Sequence, residues 1–274
     1  MRIKQVFSFG TDLWDPSNRF QTSWALSPWL LFACRALIGL YALASRLFSL
    51  AWRCEHDAIH GCRSARRSFS YFTVLTFWGV AFYFLIAALH TATYALRGPN
   101  RSGLDALPRP LQALHSLLYT SAVVYPILVT VVYWAALYGG AWFAMPFLGW
   151  ENITQHALNS VFALFEIAVP RTSPPPWIHL LWLVVVLAMY LGLAFVTHAT
   201  QGFYVYAFLD PEAIGGRGIV AACAIGVAVA AVIIFCAVWG LIWLRQWVTE
   251  TKLGMDGKVA KQPLHGDAEM SGVN

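Results

Sequence analysis

The sequence has 274 residues, of which 59% are hydrophobic and only 11% charged, whereas a soluble domain carries roughly a quarter charged residues. A water-facing fold of this size has no interior large enough for so many apolar groups, so a soluble globular class is excluded and a bilayer is the expected solvent. The net charge of +5 lies mainly at segment ends, as at Arg63, Arg66 and Arg67, which suits anionic lipid headgroups; no dense basic run accompanies a recognition fold, which sets nucleic-acid binding aside.

The chain begins with a polar stretch that includes Asp12, Asp15 and Pro16 and lacks the apolar core of a cleaved signal peptide. An internal helix is therefore expected to direct insertion. The first apolar span runs from about Ser27 to Trp52 and contains Arg35 and Arg46. Arg46 is placed to snorkel to an interface. Arg35 is deeper and needs a polar partner inside a bundle. A short basic segment follows, with Cys54, His56, His60 and Cys62 in a Cys-x-His-x3-His-x-Cys pattern. Those are four possible zinc ligands, but the spacing is not that of a standard finger. A solvated loop is the favoured reading, and no metal is expected.

The second span covers Tyr71 to Leu96 and the third Leu117 to Phe143, separated by a loop of Arg, Pro and Gly between Arg97 and Pro110. The fourth, Ile153 to Val169, is short. Pro174-Pro175-Pro176 ends it, since successive prolines cannot continue a helix. The fifth runs from Trp177 to about Phe203, and the sixth from Val220 to Trp243, after a break that holds Pro211, Gly215 and Gly216. Most of these exceed the ~20 residues needed to cross the hydrocarbon. The expectation is an all-α, polytopic membrane bundle of about six helices. It divides into an N-terminal cytoplasmic segment (1–26), a transmembrane domain (27–247) and a disordered cytoplasmic tail (248–274). Eleven Lys and Arg fall on the side of the two termini against five on the other. That excess favours cytoplasmic termini, in the endomembrane system or plasma membrane. The tripeptides Asn100-Arg-Ser and Asn152-Ile-Thr match the glycosylation pattern but fall on the cytoplasmic side and at the membrane edge.

Polar groups inside a bilayer are expensive and each needs a reason. On a helix turning about 100° per residue, Asn152, His156, Asn159 and Glu166 share one stripe of the fourth span, opposite Val161, Phe165 and Ala168. The stripe must face protein or trapped water. Interhelical glue is the plain alternative. In the second span Thr76, Tyr83 and His90 lie within about 40° of one another, although a membrane Thr commonly bonds its own backbone one turn back. The fifth span ends on Thr197, His198, Thr200 and Gln201, an interface cap or the rim of a polar cavity. Soluble-enzyme signatures are absent: no Gly-x-Ser-x-Gly, no His-Glu-x-x-His, no phosphate loop.

Three segments carry a family resemblance. Tyr71-Phe-Thr-Val-Leu-Thr-Phe-Trp78 resembles a Lys/Arg-Tyr/Phe-Leu-Thr-Phe pattern, and Asn152-Ile-Thr-Gln-His156 resembles Asn-His-x-x-His. His198-Ala-Thr-Gln-Gly-Phe-Tyr-Val-Tyr-Ala-Phe-Leu-Asp210 is similar to His-x-Thr-Gly followed by Val-Tyr-Pro-Phe-Leu-Glu. The three patterns occur, in this order, in the androgen-induced protein family of intramembrane threonine hydrolases, which the chain resembles, with wider similarity to rolling-stone-like membrane proteins. The resemblance implies a multi-span fold that hydrolyses fatty-acid esters of hydroxy fatty acids without a cofactor. Carried over, Thr76 matches the nucleophile and His156 the essential His. The chain departs from the pattern in having Ile153 where the family has its first His, one extra residue after His198, and its own first span and basic loop.

The expected mechanism has His156 deprotonate Thr76, which attacks the ester to give an acyl-threonine. Asn152 or Asn159 donates to the oxyanion, Glu166 or His198 orients the base, and Tyr83 and Thr200 complete a polar chamber. The partners are membrane lipids and a lipid-ester substrate. Two other classes stay open: a non-catalytic scaffold of rolling-stone type, and a proton or solute transporter relaying through His156, Glu166 and His198.

Overall fold

The computed structural model describes residues 15–56, 60–99 and 101–258. It is 75% helical with no strands among those residues. Helix α1 (Pro28–Glu55) starts where Ser27 caps it, its hydroxyl accepting from the Leu30 amide, with Pro28 in the first turn where no donor is needed. Short helix α2 (Gly61–Ser68) is followed by α3 (Phe72–Arg97) and α4 (Arg109–Val132), the last continuing as a π-helical turn, Tyr133–Leu137. A second π-turn, Thr154–Leu158, joins α5 (Pro146–Ile153) to α6 (Asn159–Ala168) without a break. Then come α7 (Ile178–Gln201), which Gly202 ends in the left-handed conformation at φ 71°, the short α8 (Pro211–Ile214), and α9 (Arg217–Gln246), extended by a third π-turn, Trp247–Lys252.

Five helical runs are long and apolar enough to cross a bilayer: Pro28–Glu55, Phe72–Arg97, Arg109–Leu137, Ile178–Gln201 and Arg217–Lys252. Large apolar side chains on their outer faces are exposed, among them Leu37, Met189, Ile225 and Ile233, as suits contact with lipid. The continuous run from α5 through α6 is not among them, because Glu151, Asn152, Gln155, His156, Asn159 and Glu166 make it too polar. The Lys258 amide donates to the Ser23 carbonyl at 3.0 Å, and Arg19 pairs with Glu250 at 2.5 Å, so both described ends of the chain lie on one face. An even number of passes is required to bring them there. We call this the terminal face, and the other the chamber face.

Several boundaries differ from those expected. The third run begins at Arg109 rather than Leu117, and the fourth at Pro146 rather than Ile153, because Gln112, His115, Glu151 and Asn152 are buried in the bundle instead of lying in loops. The helix expected to end near Trp243 runs to Lys252 and is followed by the Lys258–Ser23 bridge. The rest of the tail expected to be disordered, 259–274, lies outside the described residues, as do 1–14 and Asn100.

The core is built from α3, α4, α6 and α9 around Tyr83, Phe84, Tyr119, Val123, Leu128, Phe235 and Val238. Helices α1 and α3 approach closely at Gly39, where a Cβ would lie 3.0 Å from Leu85. On the terminal face the strand-like stretch before α1 is strapped to the loop after α6: Ser23 Oγ and Trp24 Nε1 donate to the Val169 and Ala168 carbonyls, both at 2.7 Å. Arg245 reaches over from α9 and donates to the carbonyls of Pro170 and Thr172.

Arg35 has the partner its depth demands. Its guanidinium binds both oxygens of Glu166 on α6, and also donates to the Phe20 carbonyl and Thr91 Oγ1, each at 2.7 Å. Tyr83 Oη donates to the same carboxylate at 2.5 Å. Every group in this knot is satisfied. Removing one partner of such a pair costs about 3–5 kcal/mol, because a bare charge stays buried. Arg46 does not snorkel. It is 1% exposed and turns inward to Glu151 at 3.5 Å, because the end of α1 packs beside α5.

Candidate active site

The chamber face holds a cavity of about 520 Å³. Its wall begins with α3. Tyr71 is extended, so Phe72 and Thr73 open the helix with amides that have no intrahelical acceptor. Tyr206, from the loop after α7, fills that need: its hydroxyl accepts from the Phe72 amide at 3.1 Å and is hydrogen-bonded to Thr73 as well. Burial pushes the Tyr206 hydroxyl above its ordinary pKa, so it remains a protonated donor.

The facing wall comes from two π-turns that meet here, a type of bulge often found at functional sites. His156 lies in one and Tyr133 in the other, their rings stacked at 3.7 Å. His156 Nδ1 lies 3.1 Å from the Asn152 carbonyl oxygen. A carbonyl can only accept, so Nδ1 carries a proton, and in the neutral ring the lone pair is on Nε2. Asn152 Nδ2 donates to Tyr133 Oη at 2.5 Å, while its Oδ1 is buried with no partner. Both Thr73 and His156 line the cavity, together with Asn152, Gln155, Tyr133 and Tyr206.

Thr73, Tyr133 and Tyr206 also line a second, apolar cavity of about 160 Å³ between α4, α7 and α9, walled by Leu128, Val132, Leu187, Leu191 and Val227. Thr73 therefore stands where a polar chamber meets an apolar pocket.

The other expected site residues lie elsewhere. Thr76 donates to the Thr73 carbonyl at 3.0 Å and faces a separate groove, of about 410 Å³, with Leu75, Gly79, Ser121 and Met189. It shares no cavity with His156. Asn159 accepts from Thr130 at 3.1 Å, and Glu166 and Tyr83 belong to the Arg35 knot. His198 stacks on Tyr204 at 3.7 Å at the end of α7, and Thr200 bonds to the Val196 carbonyl on an exposed face. Asn152 and His156 are thus brought together with Thr73, and the rest are not. The separation has a simple cause. His156 and Glu166 share a face but differ by ten residues, about 15 Å along a helix.

Thr73 was missed, although the sequence held a signal. The Tyr/Phe-Leu-Thr-Phe pattern fits in two registers three residues apart, ending on Thr73-Val74 or on Thr76-Phe77, and only a structure separates them. The basic loop also resolves: Cys54 and Cys62 are joined in a disulfide, which removes two of the four possible zinc ligands.

A family model described as FAR-17a/AIG1-like protein matches residues 34–242. No curated protein and no solved structure matches the chain.

Proposed function

The chain belongs to the FAR-17a/AIG1-like family, and from that premise we propose that it is an integral membrane hydrolase of lipid esters, with Thr73 as nucleophile and His156 as base. The observation that carries this reading is that the two side chains line one cavity, at its junction with an apolar pocket. A Thr hydroxyl needs a base to become a nucleophile, and His156 Nε2 is the free lone pair in the chamber.

In the proposed reaction Nε2 takes the Thr73 proton as Oγ1 attacks the ester carbonyl. The alcohol then leaves with that proton, and an acyl-threonine remains. Water, deprotonated by the same nitrogen, attacks the acyl group and releases a fatty acid and the restored hydroxyl. Tyr206 Oη and Asn152 Nδ2, which line the same cavity, are the donors assigned to the oxyanion in this reading, a role worth about 3 kcal/mol. The apolar pocket takes an acyl chain. Fatty-acid esters of hydroxy fatty acids, which the resemblance implies, have the required shape.

The orientation belongs to the same proposal. The excess of Lys and Arg on the terminal face favours a cytoplasmic side there, and a disulfide on the chamber face suits an oxidising compartment. The chamber then opens to the lumen of the endomembrane system or to the exterior.

The test is release of fatty acid from such an ester by the purified full chain and its Thr73→Ala, Thr76→Ala and His156→Ala variants. The expected result is loss of turnover in the first and third and its retention in the second. Turnover that survives Thr73→Ala removes the nucleophile. No turnover in any form leaves the scaffold reading.

A further inference from the structure

The chamber has a basic wall that the proposed hydrolysis does not use. Cys62 ties α2 to the end of α1 through Cys54, and α2 turns Ser64, Arg67 and Ser68 into the cavity. Arg53 joins them from α1. Among the described residues Glu151 is the one carboxylate that lines the cavity, and it is already shared. Arg53 binds both of its oxygens, at 3.2 and 2.5 Å, while Arg46 approaches one at 3.5 Å and leaves Nε and Nη2 buried without partners. Arg67 has no carboxylate partner among the described residues. Its guanidinium carbon lies 4.5 Å from the centroid of the Phe203 ring. Stacking of that kind holds the plane and leaves the edge donors open.

Two guanidinium groups, Arg53 and Arg67, thus line a cavity with a single carboxylate among the described residues, and a third, Arg46, approaches that carboxylate from behind the wall. Uncompensated charge is costly there, and an entering oxyanion meets a strong favourable field. Arg offers a planar fork that suits carboxylate and phosphate alike. The neighbouring Arg63 and Arg66 are exposed and line no part of the cavity, so contact with bulk headgroups accounts for them. It does not account for Arg67.

We propose that Arg67 is a specificity-determining residue, which holds the oxyanion of an acyl-chain amphiphile in the chamber while the chain lies in the apolar pocket beyond Thr73. The ligand class is an acyl lipid with a free carboxylate or phosphate. The Cys54–Cys62 disulfide braces the helix that presents Arg67. The assignment rests on the hydrolase reading for its role in turnover, but not for binding.

The test is therefore binding, in neutral detergent, to the full chain. The probes are palmitate, its neutral isostere palmitamide, and hexadecyl phosphate. The expected result is a preference for palmitate over palmitamide of about tenfold or more, the scale of a charge-assisted hydrogen bond. Arg67→Gln abolishes the preference, Arg67→Lys keeps part of it, and Arg63→Gln keeps all of it. Cys62→Ser reduces it about threefold. Hexadecyl phosphate binding more tightly than palmitate assigns a phosphate as the anion, and the reverse assigns a carboxylate. Equal binding of palmitate and palmitamide by the wild-type chain overturns the proposal, as does a preference that survives Arg67→Gln. None of the probes is an ester, so failure of Thr73→Ala to stop hydrolysis is read separately and leaves this result standing.

Discussion

Two polar regions lie inside the same bundle, and they differ in whether their groups are satisfied. In the knot near the terminal face, Arg35, Glu166, Tyr83, Thr91 and the Phe20 carbonyl use one another up, and none of them lines the chamber. In the chamber, Asn152 Oδ1 has no partner, His156 Nε2 is not used by the bond to Asn152, and Arg53 and Arg67 line the wall with Glu151 as the single described carboxylate. Polar groups in a membrane protein that are closed on themselves hold helices together. Those left with open valences beside a cavity are placed to meet something else.

The comparison is broken most severely by attacking the knot. Glu166→Leu strands Arg35 and is expected to destabilise the protein by about 3–5 kcal/mol, read as a fall in thermal unfolding temperature in detergent. The double variant Arg35→Met/Glu166→Leu, with no bare charge, is expected to recover most of that loss. If the double variant is no better than the single, the knot is not acting as a charge pair.

Next in size is Asn152→Ala on the chamber side. Loss of an oxyanion donor lowers turnover about 10²–10³-fold, with the unfolding temperature little changed. A large drop in stability with turnover per folded molecule intact would class Asn152 with the knot. The smallest effects belong to His198→Ala and Thr200→Ala. Both lie outside either region, and each is expected to change stability by no more than about 0.5 kcal/mol and to leave turnover near wild type.

Much of the fold was legible because lipid imposes a simple rule. Composition located the apolar runs, the proline cluster after Val169 ended one, and the depth of Arg35 demanded the partner it has. The sites were less legible. A helical wheel reports the face on which a residue lies, but not its height, so Glu166 and His156 appeared as one stripe while sitting in different regions. Two π-turns, invisible to a fixed 100° rotation, shape the chamber at Tyr133 and His156. Two threonines three residues apart fit one motif, and only the start of α3 decides which of them reaches the cavity. Arg46 was expected at an interface because its length allows it. It lies buried because Glu151, outside the expected fourth span, is a helical residue in the bundle. The Cys54–Cys62 bridge joins the end of α1 to the start of α2, a pairing that spacing alone does not specify.

The central claim is that Thr73, rather than Thr76, is the reactive hydroxyl served by His156. It is tested most directly by treating the purified chain with a fluorophosphonate probe and mapping the adduct by peptide mass spectrometry. The expected result is a covalent adduct on Thr73 that disappears in His156→Ala and persists in Thr76→Ala. An adduct on Thr76, or labelling that survives Thr73→Ala unchanged, would contradict it.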